Sequence, residues 1–280
     1  MGGRVAGVLR PIRRVECQAW RAGLLAGSER TIPEETAVAF TYNGSSYAVM
    51  MATPRDLEDF ALGFSLTEGI VKSPNEIESL EIFEEAIGVE LRMRLIEPHA
   101  TAFRERRRYL AGPTGCGLCG IESLSEAMRA PAAISDDGCV APNDIMTALE
   151  ALYGRQAINQ STRAVHGAAF YRHGEGLVAV REDVGRHNAL DKLAGAMARN
   201  GVTGGGGLGL LTSRLSVELV QKAAAIGIPI LVAVSAPTAL AVRTAHACGI
   251  TLVAVARRDG FEIFTHPKRI KEEQVFHVLA

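Results

Sequence analysis

Five consecutive segments decide how this chain folds: Leu208-Gly-Leu-Leu-Thr212, Val217-Glu-Leu-Val-Gln-Lys-Ala-Ala-Ala-Ile226, Pro229-Ile-Leu-Val-Ala-Val234, Pro237-Thr-Ala-Leu-Ala-Val-Arg-Thr-Ala-His-Ala-Cys248 and Thr251-Leu-Val-Ala-Val255. The first, third and fifth are short apolar runs, which suits strands buried on both faces. The second and fourth are longer and interrupt their apolar residues with polar ones, as helices do. Strand, helix, strand, helix, strand predicts a parallel or mixed sheet covered by helices. Asp259-Gly260 then turns a last hairpin into residues 261–265.

The same alternation extends upstream. Residues 188–200 read as a helix ended by Gly201, and residues 164–171 and 177–181 as strands around the turn His173-Gly174-Glu175-Gly176. Pro142 and Asn143 open a further helix through Tyr153, stopped by Gly154. The glycine run 204–207 lacks the Lys-Ser/Thr of a phosphate loop and is expected as a flexible loop.

Nearer the start, Ala37-Val-Ala-Phe-Thr-Tyr42 and Ser46-Tyr-Ala-Val-Met-Met51 flank Asn43-Gly44, a strong hairpin signal. Thr53-Pro54-Arg55-Asp56 reads as a helix start, with Thr53 as N-cap and Pro54 at N1. Leu57, Phe60, Ala61 and Phe64 give that helix an apolar face, Gly69 ends it, and residues 90–95 alternate as a strand. The fold class expected is α/β: a mixed sheet covered by helices, with a smaller N-terminal α+β unit.

Composition narrows the function. The chain has 280 residues and a net charge of −1, which argues against a general nucleic-acid binder. Hydrophobic residues make up 48% but aromatics only 5%, as in an Ala/Val/Leu-rich α/β enzyme. The longest apolar run, 226–234, is strand-length and contains Pro229, so no membrane span is expected. Arg4, Arg10, Arg13 and Arg14 precede the first acid, Glu16, without an apolar signal region, and read as a frayed basic terminus. The compartment expected is a reducing cytoplasm.

Chemistry concentrates at Gly115-Cys116-Gly117-Leu118-Cys119-Gly120. Two thiols three residues apart, flanked by glycines, are expected in a mobile loop before a helix bearing Ile121, Leu124 and Met128. A helix N-terminus favours the thiolate, so reactive sulfur chemistry is indicated. A zinc half-site would need two more ligands, yet Cys17, Cys139 and Cys248 stand alone and no His pair has ligand spacing. A thioredoxin-like pair would follow a strand near the chain start. The basic run Arg104, Arg106, Arg107 and Arg108 just before the loop is a solvated face or an anion-binding patch.

A second cluster, Arg181-Glu-Asp-Val-Gly-Arg-His-Asn188, packs polar residues onto a strand-to-helix junction, where α/β sheets bind ligands. Arg186 with the helix N-terminus suits phosphate oxygens and His187 a proton transfer; the alternative is a buried ion-pair network with Asn188 as N-cap. His166, in an apolar strand, reads as a hydrogen-bonded core histidine. Ser235-Ala-Pro-Thr238 and Arg257-Arg258-Asp259-Gly260 also follow strands; the two arginines suit phosphate, or form an ordinary charged turn.

Taken together, these pieces resemble the FdhD family, the formate dehydrogenase accessory sulfurtransferases. The resemblance runs from about Pro33 to Ile270 and rests on Cys116-Gly-Leu-Cys119-Gly, Glu182-Asp-Val-Gly-Arg-His-Asn-Ala-Leu-Asp-Lys192, Ser235-Ala-Pro237 and Thr265-His-Pro-Lys-Arg-Ile270. Thr67-Glu-Gly-Ile70 and Val217-Glu-Leu-Val-Gln-Lys222 fit as well. It implies a cytidine deaminase-like core at 121–280, a smaller unit at 33–110, the CxxC loop at 111–120 and a partly flexible basic arm at 1–32. It also implies a sulfur carrier, loaded by a cysteine desulfurase, that acts on a molybdenum (or tungsten) bis-guanine-dinucleotide cofactor bound for formate dehydrogenase. Cys116 would carry the persulfide with Cys119 as helper. Val255, Ala256, Arg257, Arg258, Asp259 and Gly260, with Arg186 and His187, would contact the cofactor, for which GDP is the natural probe. A homodimer is compatible with this reading.

Two departures stand near the expected cofactor groove: Thr162-Arg163-Ala164 where the family has Thr-Gly-Gly, and Ser213-Arg214 where it has Gly-Arg. Deaminase activity is not expected, because His166-Gly167-Ala168 lacks the glutamate of a zinc deaminase and the CxxC precedes it. The rival functions are a cofactor-delivering chaperone that uses its cysteines only to dock, and a zinc-stabilised binding module.

Overall fold

The computed structural model describes residues 9–97, 130–135 and 138–271. The CxxC segment, the basic run before it and the helix expected after it lie outside those residues. Among the described residues the chain forms two compact units that do not follow chain order. The first joins everything up to residue 97 to Gln156–Gly167 and Arg181–Val202, and the second takes residues 130–155, Ala168–Val180 and 203–271.

In the first unit, β3 (Thr36–Tyr42), β4 (Ser45–Ala52), β5 (Ile77–Glu85) and β6 (Gly88–Leu95) form a sheet of order β4-β3-β6-β5. The β3–β6 pair is parallel and the others antiparallel. Asn43 and Gly44 turn the β3–β4 hairpin with φ of 50° and 76°, the left-handed pair that suits strand twist. Every second residue of β3 and β6 points inward: Val38, Phe40 and Tyr42 meet Val89, Leu91 and Met93. Helix α1 (Leu57–Thr67) lays Phe60 and Phe64 on that layer, at 4.9 and 4.1 Å from the Phe40 ring centre.

Helix α4 (Arg186–Arg199) packs against α1 at glycines. A Cβ on Gly63 would collide with the Asp191 carbonyl, and one on Gly195 with the Asp59 carbonyl, so the two backbones touch. A short helix α3 (Ala157–Thr162) completes the unit with the hairpin of β1 (Ile12–Arg21) and β2 (Leu24–Pro33). Residues 12–33, expected as a frayed arm, are thus paired along their length.

Helix α1 starts later than its sequence signals suggest. Its N-cap is Asp56, at φ 54° and without a side-chain cap, rather than Thr53. The hydroxyl of Thr53 is unavailable because it accepts from the Val184 N–H at 3.1 Å, while its own N–H donates to Asp183 at 3.0 Å. Helix α4 likewise begins at Arg186, capped by Gly185 and not by Asn188.

A six-stranded mixed sheet of order β12-β11-β10-β9-β7-β8 forms the larger, C-terminal part. Its strands are β7 (His166–Arg172), β8 (Gly176–Asp183), β9 (Leu208–Leu211), β10 (Ile230–Ala233), β11 (Thr251–Arg257) and β12 (Gly260–Ile263). The segments first quoted above supply β9, β10 and β11, which are parallel, linked by α5 (Val217–Ala225) and α6 (Ala239–Cys248). On one face Ala169, Leu208, Leu210, Ile230 and Val232 pack against Ile145, Leu149 and Leu152 of α2 (Pro142–Arg155). The glycine run 204–207, expected to be flexible, is anchored: Gly204 and Gly207 are buried, and a Cβ would meet the Ile226 carbonyl or the Phe170 ring. Among the described residues no helix is long and apolar enough to cross a membrane.

Candidate functional site

Two polar assemblies occupy the positions that the sequence marks for ligands. The first, in the N-terminal unit, turns most of its charge inward. Asp183 is fully buried and its carboxylate accepts four hydrogen bonds: from Gly185 N (2.7 Å), Asn188 Nδ2 (2.9 Å), Thr53 N (3.0 Å) and Lys192 Nζ (2.6 Å). Lys192 is equally buried and also donates to the Thr53 carbonyl at 2.8 Å. Desolvation pulls the Lys192 pKa below its ordinary value, with the Asp183 charge opposing that pull.

Glu182 accepts from Ile158 N and Asn159 N at 2.9 and 2.8 Å, serving the open N-terminus of α3. Arg181 and Arg199 both bind Asp59, and Thr67 donates to Asp191 at 2.6 Å. For Glu182, Asp183, Asn188 and Lys192 the buried-network alternative is therefore the correct one. Their hydrogen bonds tie the β8–α4 junction to α3, to Thr53 and to the Met51 carbonyl.

Arg186 and His187 are both part-buried in the first turn of α4. Arg186 Nε is buried without a hydrogen-bond partner among the described residues. His166 in β7 titrates below its ordinary value, first through burial, then through the Arg186 guanidinium, with Asp183 partly offsetting both. The native pKa thus lies below the unfolded value of about 6.5. Stability from this group is full above that value and is lost as pH falls through the native pKa, because the unfolded chain takes up the proton first. A His166→Gln variant should show a flatter decline of urea midpoints on the acid side of about pH 6.5.

The second assembly lies at the carboxyl ends of β9, β10 and β11, where open α/β sheets take ligands. Thr238 caps α6, its hydroxyl accepting from Ala241 N at 3.2 Å, and Ser216 begins α5 without a side-chain cap. Two helix N-termini, the positive ends of their dipoles, thus follow adjacent parallel strands. Ser213, at the family departure, is buried and donates to the Arg214 carbonyl at 2.9 Å.

Beyond β11 the backbone is strained. Val255 sits at φ 52°, a genuine outlier for a β-branched residue, and the ladder to β12 slips between Ala254 and Arg257. The Val255 N–H turns to the Ser235 carbonyl at 3.4 Å. Ala256 is buried, while Arg257, Arg258 and Asp259 are exposed and Gly260 is part-buried at φ 145°. Neither arginine makes an ion pair among the described residues. A kink followed by two uncommitted guanidiniums suits a diphosphate. Nothing in the sequence signals the Val255 kink, whereas the arginines are plain in it.

These residues fall in different units, Arg186 and His187 in the first and Val255 to Gly260 in the second. Cys17 and Cys139 are exposed; Cys248 is buried, and burial pushes its thiol pKa up, which makes it inert. Cys116 and Cys119 lie outside the described residues. Among the described residues no group of three or more His, Cys, Asp or Glu side chains is placed to hold a metal ion.

A mixed α/β protein with two exposed arginines at a kinked strand end is what fold and geometry define. The chain belongs to the FdhD/NarQ family, whose model matches residues 33–271. A sulfur carrier protein FdhD of Agrobacterium fabrum is 56% identical over 259 residues, spanning 92% of this chain and 96% of that protein. One from Brucella abortus is 51% identical over 261 residues, spanning 93% and 97%. A solved chain described as a formate dehydrogenase accessory protein, from Desulfotalea psychrophila, superposes with a TM-score of 0.72. It is 26% identical and covers 94% of this chain and all of its own.

Proposed function

We propose that this protein is a sulfurtransferase of the sulfur-carrier type. It takes sulfur from a cysteine desulfurase as a persulfide on Cys116 and passes it to a molybdenum (or tungsten) bis-guanine-dinucleotide cofactor bound for formate dehydrogenase. The observation that carries the reading is likeness over nine-tenths of the chain to named sulfur carriers, in a sequence with a glycine-flanked thiol pair. The helix-covered sheet is read as a cytidine deaminase-like core used for binding, and the cytoplasm as its compartment. In the loading step the Cys116 thiolate attacks the outer sulfur of the donor persulfide. The donor leaves as a thiolate, and the new S–S bond replaces the one broken. Incubation with a desulfurase and cysteine, followed by mass mapping, should place the added sulfur on Cys116. Sulfur only on Cys17, Cys139 or Cys248 would refute this.

The cofactor is long and anionic, and the edge formed by residues 255–260 is the candidate for one guanine dinucleotide arm. GDP reproduces that arm without the metal. Each charge-assisted contact is worth about 1.5–3 kcal/mol. Loss of one arginine should therefore weaken GDP binding by roughly 10- to 150-fold. Asp259 is read as the partner of the guanine N1 and N2 donors, which ADP lacks. Calorimetric titration of GDP and ADP into wild type and an Arg257→Ala/Arg258→Ala variant checks both points. Equal GDP affinity for the two proteins removes the loop from the site, and equal affinity for GDP and ADP removes guanine recognition. Arg186→Ala, titrated alongside, tests whether the first unit contributes.

A further inference from the structure

We propose that Arg163 is an anion-binding residue of the first unit, its guanidinium taking a diphosphate group of the substrate at the exit of α3. The proposal rests on the anionic-cofactor reading for its natural ligand, but not on any role for residues 255–260.

Arg163 is held where its backbone is disfavoured. It is the C-cap of α3 at φ 57° and ψ 29°, with its N–H donating to the Asn159 carbonyl at 2.8 Å. Glycine is the usual residue in that left-handed conformation, because a Cβ crowds the backbone there. The side chain does not offset the strain through local contacts. It is exposed and makes no hydrogen bond or ion pair among the described residues. The attraction of a helix C-terminus for a cation is small at an exposed side chain. A strained residue with an uncommitted charge points to a ligand.

The surroundings select an anion. Arg30 donates to the Thr162 carbonyl at 3.4 Å, which brings a second guanidinium to the α3 exit. His166 follows three residues later, near enough to Arg186 for that charge to act on it. Arg186 Nε is itself buried without a partner among the described residues. The acid that also acts on His166, Asp183, is committed to Lys192 and to N–H groups of Gly185, Asn188 and Thr53. Glu182 serves the opposite end of α3, and residues 151–174 contain no Asp or Glu. A surface lined by one sign of charge concentrates counter-ions, and a planar guanidinium matches phosphate oxygens two at a time. Several cations together favour a diphosphate over a monovalent anion.

Inorganic pyrophosphate is titrated calorimetrically into full-length wild type, Arg163→Gly, Arg163→Lys and Arg257→Ala/Arg258→Ala. Arg163→Gly should bind roughly tenfold or more weakly, the loss of one charge-assisted contact. Its urea midpoint should match or exceed that of wild type, because glycine relieves the left-handed backbone. Arg163→Lys should keep most of the affinity. The proposal is overturned if wild type does not bind pyrophosphate, if Arg163→Gly binds as tightly as wild type, or if lysine rescues nothing. A lowered midpoint with unchanged affinity would make Arg163 a helix cap and nothing more, which also overturns it. Should the glycine variant fail to fold, Arg163→Gln removes the same charge, and wild-type affinity there is equally fatal. Loss confined to Arg257→Ala/Arg258→Ala sinks the Arg163 site and leaves the strand-edge reading standing; loss confined to Arg163→Gly does the reverse. Pyrophosphate binding is read without cofactor or sulfur transfer, so failure of the sulfur-carrier reading leaves the result intact.

Discussion

Replacing Cys116 with alanine should leave a protein that gains no sulfur from a desulfurase and yields no active formate dehydrogenase in a strain lacking the wild-type copy. The expected loss is complete, because alanine has no nucleophile and the transfer is covalent. The remaining thiols are poor substitutes. Cys248 is buried with a raised pKa, and neither Cys17 nor Cys139 lies in a glycine-flanked pair. Cys119→Ala should be milder if the second thiol only assists release. Formate dehydrogenase activity and persulfide content are measured on both variants, with thermal melting alongside to separate chemistry from folding. Wild-type persulfide levels in Cys116→Ala would move the carrier to another thiol, whereas full formate dehydrogenase activity in that variant without any persulfide would return the reading to a cofactor-delivering chaperone.

The second large effect concerns stability. Lys192→Met should cost about 3–5 kcal/mol, the usual penalty for stranding one partner of a buried ion pair. Both side chains are fully buried and 2.6 Å apart, and the ammonium stands 5.4 Å from the Phe60 ring centre. Methionine matches the lysine stem but leaves the Asp183 charge without its cation. Adding Asp183→Asn removes that charge while Oδ1 still accepts from Gly185 and Asn188, so about half of the loss should return. Urea midpoints at constant slope measure both steps. A single-variant loss under about 1 kcal/mol would mean that the pair does not anchor the β8–α4 junction.

The C-terminal alternation was legible because each segment carried one period and a matching length. The runs that became β9, β10 and β11 are too short for helices, and the residues of α5 and α6 too long and too polar for buried strands. Less regular elements escaped. Strand β5 carries Glu78, Glu81, Glu84 and Glu85, and β1 carries Arg13, Arg14 and Glu16, so exposed charge hid the alternation. Six-residue α3 is too short to show a period. The cap assignments at Thr53 and Asn188 failed because tertiary partners from distant sequence, Asp183, Val184 and the Met51 carbonyl, took those polar groups. The same long-range pairing explains why the Glu182 to Lys192 cluster was visible as a cluster while its roles were not.

The glycine contact between α1 and α4 bears on how the protein leaves the ribosome. Strand β6 ends at Leu95 and α4 at Arg199, so about a hundred residues separate the finished N-terminal sheet from the helix that covers α1. At roughly 5–20 residues per second, the bare flank of α1, with Gly63 at its centre, waits on the order of 5–20 s for its partner. During that interval the nascent sheet is a client for chaperones, and a ribosomal pause anywhere between the two segments lengthens its exposure.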